Sequence, residues 1–321
     1  MVMAQSLFRM LRQRQPESVI DVLAPAWSLP IVARMPEVRR AVESPIAHGE
    51  LTWAEHRGLG RRLRSEGYDQ AIVLPRSLKA ALVPWHARIP RRTGFRGEMR
   101  FGLINDMRAF DRRVLDQTVK RFVALGLDPG ETLPPTPSPR LELSAAKQRT
   151  ALARLQLPVD EPVIALMPGA EYGSAKCWPP IHFRTLAGML RSAGYAVWVL
   201  GSEKDRPAGD IIAAGGRAAN LCGRTSLEEV IDLLGCCRQA VTNDSGLMHV
   251  AAAVGLRVVA LFGSTTPDFT PPLTENRAVH WLGIACSPCF RRECPFGHRR
   301  CLRDITPAMV MDSLIRRACR P

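Results

Sequence analysis

Apolar and polar positions along the chain recur with two different periods. Short apolar runs such as residues 71–74 and 163–167 predict buried β-strands. Residues 181–193 carry apolar side chains at every third or fourth position and predict an amphipathic helix. Strands and helices alternate in this way through both halves of the chain. Such alternation is typical of an α/β protein with parallel sheets.

A proline-rich segment divides the two halves. Residues 128–139 read DPGETLPPTPSP and hold five prolines without a periodic pattern, which predicts an interdomain linker. We therefore expect two doubly wound, Rossmann-like domains, residues 1–139 and residues 140–321. A ligand would bind in the cleft between them, at the carboxyl ends of the strands.

Residues 240–263, AVTNDSGLMHVAAAVGLRVVALFG, predict a strand, a tight turn, a short helix and a second strand. Residues 243–246 are turn and N-cap types, and Gly255 is a natural helix end. The N-terminus of a helix favours an anion, usually a phosphate. Ser245 and His249 share one helix face, and a histidine on an apolar helix needs a buried partner or a ligand. The alternative is an ordinary, well-capped crossover.

A second turn of this kind spans residues 167–179, MPGAEYGSAKCWP, between a predicted strand and a predicted helix. Gly169 and Gly173 allow close approach of the backbone. Ser174 and Lys176 can contact phosphate oxygens. The spacing is not that of a Walker A motif, which excludes a P-loop NTPase. The alternative is a glycine-rich connection with a solvated lysine.

Charge and composition restrict the partners and the location. The 321 residues carry a net charge of +14, and all but five of the 44 basic residues are arginine. Such a balance suggests an acidic partner, namely nucleic acid, an anionic membrane surface or a phosphorylated substrate. No apolar run approaches the ~20 residues of a membrane span. No secretory signal is visible, so we expect a cytoplasmic protein.

Four of the nine cysteines lie close together in a loop over residues 284–303. They follow the spacing Cys286-x2-Cys289-x4-Cys294-x6-Cys301, with His298 nearby. Four thiols within such a short segment suit a tetrahedral zinc or an iron–sulfur site. Without a secretory signal, a disulfide framework is not expected. Free thiols, with no metal, are the alternative.

Several segments resemble those of one enzyme family, the ADP-heptose:lipopolysaccharide heptosyltransferases of glycosyltransferase family 9. These segments are PGAEYGSAKCWP, TSLEEV, TNDSGLMHVAAA and FGSTTPDFTPP, joined in the first half by YDQAIVLPRSLKAALVPWHARIPRRTGFRGEMRFGLIND. The resemblance covers nearly the whole chain. It implies a GT-B fold and an inverting transfer of heptose from ADP-heptose to the first heptose of the lipopolysaccharide inner core. It implies no required cofactor.

The resemblance also implies a donor site in the second domain. Its residues are Gly173, Ser174, Lys176, Glu228, Asp244, Ser245, Gly246 and His249. Ser174 and Lys176 match the loop that holds the diphosphate, and Glu228 matches the position that contacts the nucleoside. Lys176 and the N–H groups of residues 245–247 would stabilise the departing ADP. Asp244 would repel phosphates, so it either contacts sugar hydroxyls or holds the turn.

In the first domain, Arg76, Ser77 and Lys79 match a family segment suited to the phosphorylated acceptor, a Kdo-heptose-lipid A. A run of arginines follows at positions 91, 92, 96 and 100. As a cluster it suits an acidic glycolipid, whereas each arginine alone suits a solvated surface. We expect peripheral attachment to the cytoplasmic face of the inner membrane and no binding of nucleic acid.

Family members begin with a strand and a turn ending in Gly-Asp, placed just before the helix that starts here at Met1. That aspartate is the general base expected to deprotonate the acceptor hydroxyl. The resemblance therefore implies a base upstream of Met1 and a first domain without its first strand. The alternative is a truncated, inactive ADP-sugar-binding protein. A basic, metal-containing nucleic-acid binder ranks last, because no motif for nucleic acid is present.

Overall fold

The structure, a computed structural model, describes residues 1–46, 52–158 and 160–315. The chain forms two compact units that divide between Pro137 and Ser138, within the proline-rich segment. Every strand pair in both units is parallel. The α/β class expected from the alternation is therefore confirmed. In the described part of the chain, no helix has the length and apolar character to cross a bilayer.

The second unit is built around one six-stranded sheet. Its strands are β6 (Val163–Met167), β7 (Ala196–Val199), β8 (Ala219–Asn220), β9 (Cys237–Asn243), β10 (Arg257–Phe262) and β11 (Arg277–Trp281). Its helices are α6 (Ala145–Leu155), α7 (Pro180–Ser192), α8 (Arg206–Ala213), α9 (Leu227–Leu234), α10 (Gly246–Ala253), α11 (Arg300–Arg303) and α12 (Pro307–Ile315). The strand order is β11-β10-β9-β6-β7-β8. This is the doubly wound order, in which the direction of winding reverses between the first and the fourth strand.

The core of this unit forms where helices cover the sheet. All five residues of β6 are buried, as expected for a central parallel strand. Trp178 is fully buried, stacks edge-on against Phe183 and donates its indole N–H to the carbonyl oxygen of Ile305 at 2.9 Å. These contacts join the loop after β6 to the segment before α12.

The first unit holds five strands in two separate sheets. The strands are β1 (Ile20–Pro25), β2 (Val38–Ser44), β3 (Gln70–Val73), β4 (Arg91–Phe95) and β5 (Asp106–Arg108). The helices are α1 (Gln5–Arg14), α2 (Leu29–Val32), α3 (Trp53–Arg64), α4 (Leu78–His86) and α5 (Thr118–Ala124). One sheet pairs β1 with β2, and the other has the order β3-β4-β5. Among the described residues, one edge of β1 and one edge of β3 therefore have no strand partner.

The two units share one winding scheme. A complete doubly wound sheet has the strand order 3-2-1-4-5-6. Without its strand 1, this order leaves a group of two strands and a group of three, which correspond to β2-β1 and β3-β4-β5 of the first unit.

The sequence analysis was wrong or silent about several details of the elements. It did not predict β4, β5 or β11, because arginines open β4 and β11 and β5 has only three residues. It placed Asn243 in a turn, whereas this residue ends β9. The apolar pattern of the last segment predicts a helix over residues 307–318, of which residues 316–318 lie outside the described residues.

Candidate functional site

Two loops of the second unit lie side by side because β6 and β9 are neighbours in a parallel sheet. Each loop begins at the carboxyl end of its strand, where the winding of the sheet reverses. Open α/β sheets bind ligands at this place. The loop after β6 holds Ser174 and Lys176, and the loop after β9 holds Asp244 and Ser245. The fold thus brings together two segments that are far apart in the sequence.

A buried asparagine connects the two loops. The Asn243 side chain is fully buried and donates from Nδ2 to the carbonyl oxygen of Pro168 at 2.6 Å. Its Oδ1 accepts the backbone N–H of Trp178 at 3.0 Å. One amide therefore fixes both ends of the loop after β6. The sequence analysis missed this role, because Asn in a loop is also an ordinary turn residue.

The Asp244 carboxylate forms an ion pair with Lys176 of the loop after β6. Its Oδ2 accepts from the Lys176 ammonium at 2.6 Å and from the Thr265 hydroxyl at 2.7 Å. The two charged side chains are only 6 % and 16 % exposed, respectively. Of the two roles left open for Asp244, the structure supports holding the turn. Lys176 is consequently half of an ion pair and not a solvated cation.

The tip of the same loop is shaped by Gly173. Its φ is +151°, and a Cβ there would lie 2.4 Å from the carbonyl oxygen of Arg292. Ser174 is exposed and opens a short 3-10 turn that ends at Lys176. The Lys176 ammonium also lies 5.0 Å from the centre of the Tyr172 ring, which adds a cation–π contact.

The N-terminus of α10 directly follows Asp244 of the Lys176–Asp244 ion pair, and it faces open space. Ser245 is the N-cap residue, yet its hydroxyl makes no capping hydrogen bond; its Oγ lies 3.4 Å from that of Thr242. A Cβ added at Gly246 would meet nothing within 4 Å. The first N–H groups of the helix are therefore accessible to an anion, as a phosphate site requires.

His249 lies one turn further along α10. Its Nδ1 is buried and has no hydrogen-bond partner. Burial lowers the pKa of the imidazole to about 4, against the opposing effect of Asp244. The ring is therefore neutral near pH 7, with a buried nitrogen that remains unsatisfied. Such a group is rare in native proteins and marks a place where a ligand or water can bind.

Glu228 lies in the first turn of α9, which begins with a capping box between Ser226 and Glu229. The Glu228 carboxylate forms an ion pair with Lys147 on α6. Both side chains are partly exposed. The partner Lys147 was not predicted, because the two residues are far apart in the sequence.

The three residues expected to bind the acceptor lie after β3 and in the first turn of α4, in the first unit. Arg76 donates from Nε to the carbonyl oxygen of Arg96 at 3.1 Å, and its guanidinium lies 4.8 Å from the Phe110 ring centre. Ser77 is the N-cap residue of α4 and makes no side-chain capping bond. Lys79 is half-buried in the first turn.

The carboxylate of Glu98 already occupies the N-terminus of α4. It accepts the backbone N–H of Leu78 at 2.7 Å. The sequence analysis did not anticipate an acid at this position. An acceptor phosphate near Ser77 and Lys79 would have to compete with Glu98.

The arginine run does not form one basic surface, and this expectation is wrong for three of its four members. Arg100 is fully buried and donates to the carbonyl oxygens of Pro75 and Phe95. The guanidinium of Arg92 likewise donates to backbone carbonyls, and Arg91 pairs with two aspartates. Only Arg96 remains as an exposed member of the run with no ion pair shown.

The four loop cysteines line one small cavity in the second unit. Burial raises the pKa of the Cys301 thiol, and the sulfurs of Cys286, Cys289 and Cys294 raise it further. Burial would also raise the pKa of Cys294, but the backbone N–H groups of residues 296–299 outweigh it and lower that pKa. Among the residues that the structure describes, no three Cys, His, Asp or Glu side chains already form a ligand set.

Comparison with known proteins identifies the family. A sequence model described as glycosyltransferase family 9 (heptosyltransferase) matches residues 56–299. Lipopolysaccharide heptosyltransferase 2 of Escherichia coli is 44% identical over 326 residues, covering 98% of this chain and 94% of that protein. The chain belongs to glycosyltransferase family 9. It is therefore a glycosyltransferase, and the resemblance of its motifs is confirmed.

Further relatives agree with this assignment. Lipooligosaccharide heptosyltransferase 2 of Haemophilus influenzae is 41% identical, over 98% of this chain and 94% of that protein. The solved structure of the E. coli ADP-heptose LPS heptosyltransferase II has a TM-score of 0.87 at 42% identity, covering 98% of this chain and 94% of that chain. A family 9 structure from Veillonella parvula has a TM-score of 0.77 at 19% identity and supports the fold alone. The predicted GT-B fold class is confirmed.

Proposed function

We propose that the chain transfers heptose from ADP-heptose to the first heptose of the lipopolysaccharide inner core. The observation that carries the proposal is the pairing of Lys176 with Asp244 beside the open N-terminus of α10. The relatives named lipopolysaccharide heptosyltransferase 2 match it over nearly their whole length.

The diphosphate of the donor would bind across the two loops after β6 and β9. The N–H groups at the start of α10 and the exposed Ser174 hydroxyl supply hydrogen bonds. Lys176 keeps two ammonium protons beyond the one directed at Asp244, and these can reach a phosphate oxygen. Because Asp244 and Thr265 fix the lysine in advance, it needs little rearrangement when charge develops on the ADP.

In the transfer, an acceptor hydroxyl oxygen forms a bond to the anomeric carbon of the heptose while the bond to the ADP oxygen breaks. This in-line displacement inverts the anomeric centre. The acceptor proton passes to a general base, which by family resemblance is an aspartate upstream of Met1. The step exchanges one C–O bond for another at the anomeric carbon, with neither oxidation nor reduction.

Glu228 would contact the nucleoside through its carboxylate, which Lys147 holds in place. In the first unit, Arg76, Ser77 and Lys79 would contact the phosphorylated Kdo-heptose-lipid A. Lys79 is the residue best placed to attract a phosphate, since Glu98 already accepts the N–H of Leu78.

The same unit offers a site for peripheral attachment to the inner membrane. Met99 and Phe101 are 83 % and 66 % exposed, close in sequence to the exposed Arg96. Apolar side chains beside a cation are typical of interfacial binding to anionic lipids. We place this attachment at the cytoplasmic face, where the donor is available.

The test is transfer of heptose from ADP-heptose to a heptosylated, Kdo-bearing lipid A, followed by mass spectrometry of the product. Residues 1–321 are compared with the same chain extended upstream in frame. We expect full activity only in the longer chain. Transfer by both chains would contradict the upstream base, and ADP binding without transfer by either would contradict the proposed reaction.

Replacement of Lys176 distinguishes a specific effect of this residue on the departing ADP from a general effect of positive charge on the second unit. We expect Lys176→Ala to lower the rate of transfer about 10²- to 10³-fold in the active chain. Lys204→Ala is the matched control, because Lys204 pairs with Glu171 in an exposed position on the same unit. Equal rates for the two variants would exclude Lys176 from stabilising the leaving group.

A further inference from the structure

The loop over residues 284–303 encloses a cavity of about 20 Å³ in the second unit. Its lining includes all four loop cysteines, which are the only cysteines that line it. The cysteines of this loop are free thiols in the structure. Four sulfur ligands facing one small space are the donor set that thiophilic metal ions select.

A second, independent feature of the cavity is Ser264. This residue is 1 % exposed, lines the same cavity, and its Oγ has no hydrogen-bond partner. A buried hydroxyl without a partner is unfavourable by about 1–3 kcal/mol. Its presence in the lining indicates that the cavity is built to hold something polar or charged.

The cavity of about 20 Å³ has room for one water molecule or one ion. A single metal ion therefore needs the least rearrangement of the lining. His298 also lines the cavity, but its Nδ1 accepts the backbone N–H of Arg300 at 3.0 Å. Because Nδ1 is engaged in this bond, we take the four cysteines as the ligands.

The surroundings suit a negatively charged centre. A divalent ion held by four thiolates carries a net charge of −2, and the loop supplies arginines to offset it. These are Arg291, Arg292, Arg299, Arg300 and Arg303, against Glu293 within the loop and Asp304 just after it, which pairs with Arg300 and Arg303. The backbone N–H groups of residues 296–299 also face the sulfur of Cys294. Such N–H groups stabilise thiolates and orient them toward a metal.

We propose that Cys286, Cys289, Cys294 and Cys301 bind one tetrahedral divalent metal ion, Zn²⁺ or Fe²⁺. In the structure the thiols line the cavity without forming a finished ligand set. Binding requires rearrangement of the cysteine side chains and release of the thiol protons. The metal is structural, because four protein ligands leave no open position for a substrate.

The loop that holds this metal also supports the proposed donor loop. The carbonyl oxygen of Arg292 accepts the N–H of Ala175 at 3.0 Å, and that of Phe290 accepts the Tyr172 hydroxyl at 2.8 Å. The N–H of Phe290 donates to the carbonyl oxygen of Ser264 at 2.7 Å, next to Thr265. A metal that fixes residues 286–301 would therefore fix the loop that carries Ser174 and Lys176. This second part of the proposal rests on the proposed function.

The first experiment measures metal content. The full chain, purified without chelator, is analysed by inductively coupled plasma mass spectrometry, and we expect about one metal ion per chain. Zinc and iron are distinguished directly, and a Co²⁺-substituted sample should show the visible bands of a tetrahedral thiolate site. The variant Cys289→Ser/Cys294→Ser should lose the metal. Cys236→Ser, at a thiol outside the loop, should retain it. No metal in the wild type, or equal metal in both variants, would overturn the proposal.

The second experiment tests the link to the donor. ADP is titrated into the metal-loaded chain, the chelator-stripped chain and the two variants by isothermal titration calorimetry. We expect loss of the metal to weaken ADP binding about 5- to 100-fold, with Cys236→Ser unchanged. Unchanged ADP affinity after metal removal would refute the support of the donor loop. Absence of ADP binding in the metal-loaded chain would refute the proposed donor site and leave the metal site standing.

Discussion

A single carboxylate oxygen of Asp244 joins three elements of the second unit. It accepts from Lys176 after β6 and from Thr265 after β10, while its own residue follows β9. Two buried opposite charges are stabilising only when both are present, because the loss of one leaves the other desolvated. At the scale of single residues, the site therefore depends on the presence of both Lys176 and Asp244.

The first prediction concerns the loss of the negative charge of Asp244. Asp244→Asn keeps the shape of the side chain but leaves Lys176 without its counter-ion, so we expect the free energy of unfolding to fall by about 1–3 kcal/mol. Glu171→Gln removes one partner of an exposed pair with Lys204, for which little or no loss is expected. Urea unfolding of the two variants measures both values. Similar losses in the two would contradict the importance of the buried pair.

The second prediction concerns pH. Burial lowers the pKa of His249 to about 4 from an ordinary value of 6.5. Below pH 6.5 the unfolded chain binds a proton at this ring while the folded chain does not. Stability is therefore lost as the pH falls from 6.5 toward 4.

The variant His249→Gln removes this contribution. Between pH 7.5 and pH 5, we expect its unfolding free energy to fall by about 1–2 kcal/mol less than that of the wild type. Denaturant unfolding at the two pH values gives the difference. Other histidines with lowered pKa values, such as His182 and His280, are present in both proteins and cancel. An equal fall in the two proteins would exclude His249 as the cause.

At the scale of elements, the strands of the two units differ in burial. Every residue of β6 is buried between neighbours on both edges. In β1 only Val22 and Ala24 are buried, and in β3 only Val73. Parallel strands are ordinarily covered on both faces. The low burial of β1 and β3 agrees with the edge that each leaves without a strand partner among the described residues.

The third prediction follows from these edges. If an upstream extension of the chain adds a parallel strand there, the backbone amides of residues 20–24 and 70–73 should exchange with deuterium more slowly. The amides of β4, which already lies between two strands, serve as the internal control. Hydrogen exchange followed by mass spectrometry compares the two chain lengths. Unchanged exchange in β1 and β3 would contradict this placement of the strand.

At the scale of the whole molecule, the net charge of +14 is a weak guide to any binding surface. Arg100 is buried against backbone carbonyls and Arg91 pairs with Asp106 and Asp128. These arginines stabilise the first unit instead of facing a partner. Arg96, Met99 and Phe101 do combine a charge with exposed apolar side chains. The proposal of membrane binding therefore rests on these three residues and not on the net charge.

The fourth prediction tests that surface. Wild-type protein should co-sediment with vesicles containing phosphatidylglycerol, and less so as salt is raised. Met99→Ser/Phe101→Ser should weaken this binding about tenfold or more, since buried apolar area contributes most of the affinity. Ile181→Ser, at an exposed apolar position of the second unit, should leave it unchanged. Equal binding by both variants would place the membrane contact elsewhere.

The sequence by itself determined the class of fold and the segments that form the site. Periodicity predicts most strands and helices because the hydrophobic pattern must match the spacing of side chains in each element. The segments 167–179 and 240–263 carry their glycines, cap residues and charges locally, and long motifs identify the family. The capping box at Ser226 and Glu229 was predictable for the same reason, since its contacts span one turn.

Only the tertiary structure decided which of these residues interact. Lys176 meets Asp244, Asn243 holds Pro168 and Trp178, and the cysteine loop contacts the donor loop. Each contact depends on the order of strands in the sheet, which no local pattern encodes. The expectation that Arg91, Arg92 and Arg100 form one basic surface failed for the same reason. The burial and the partners of these arginines arise only when distant segments pack together.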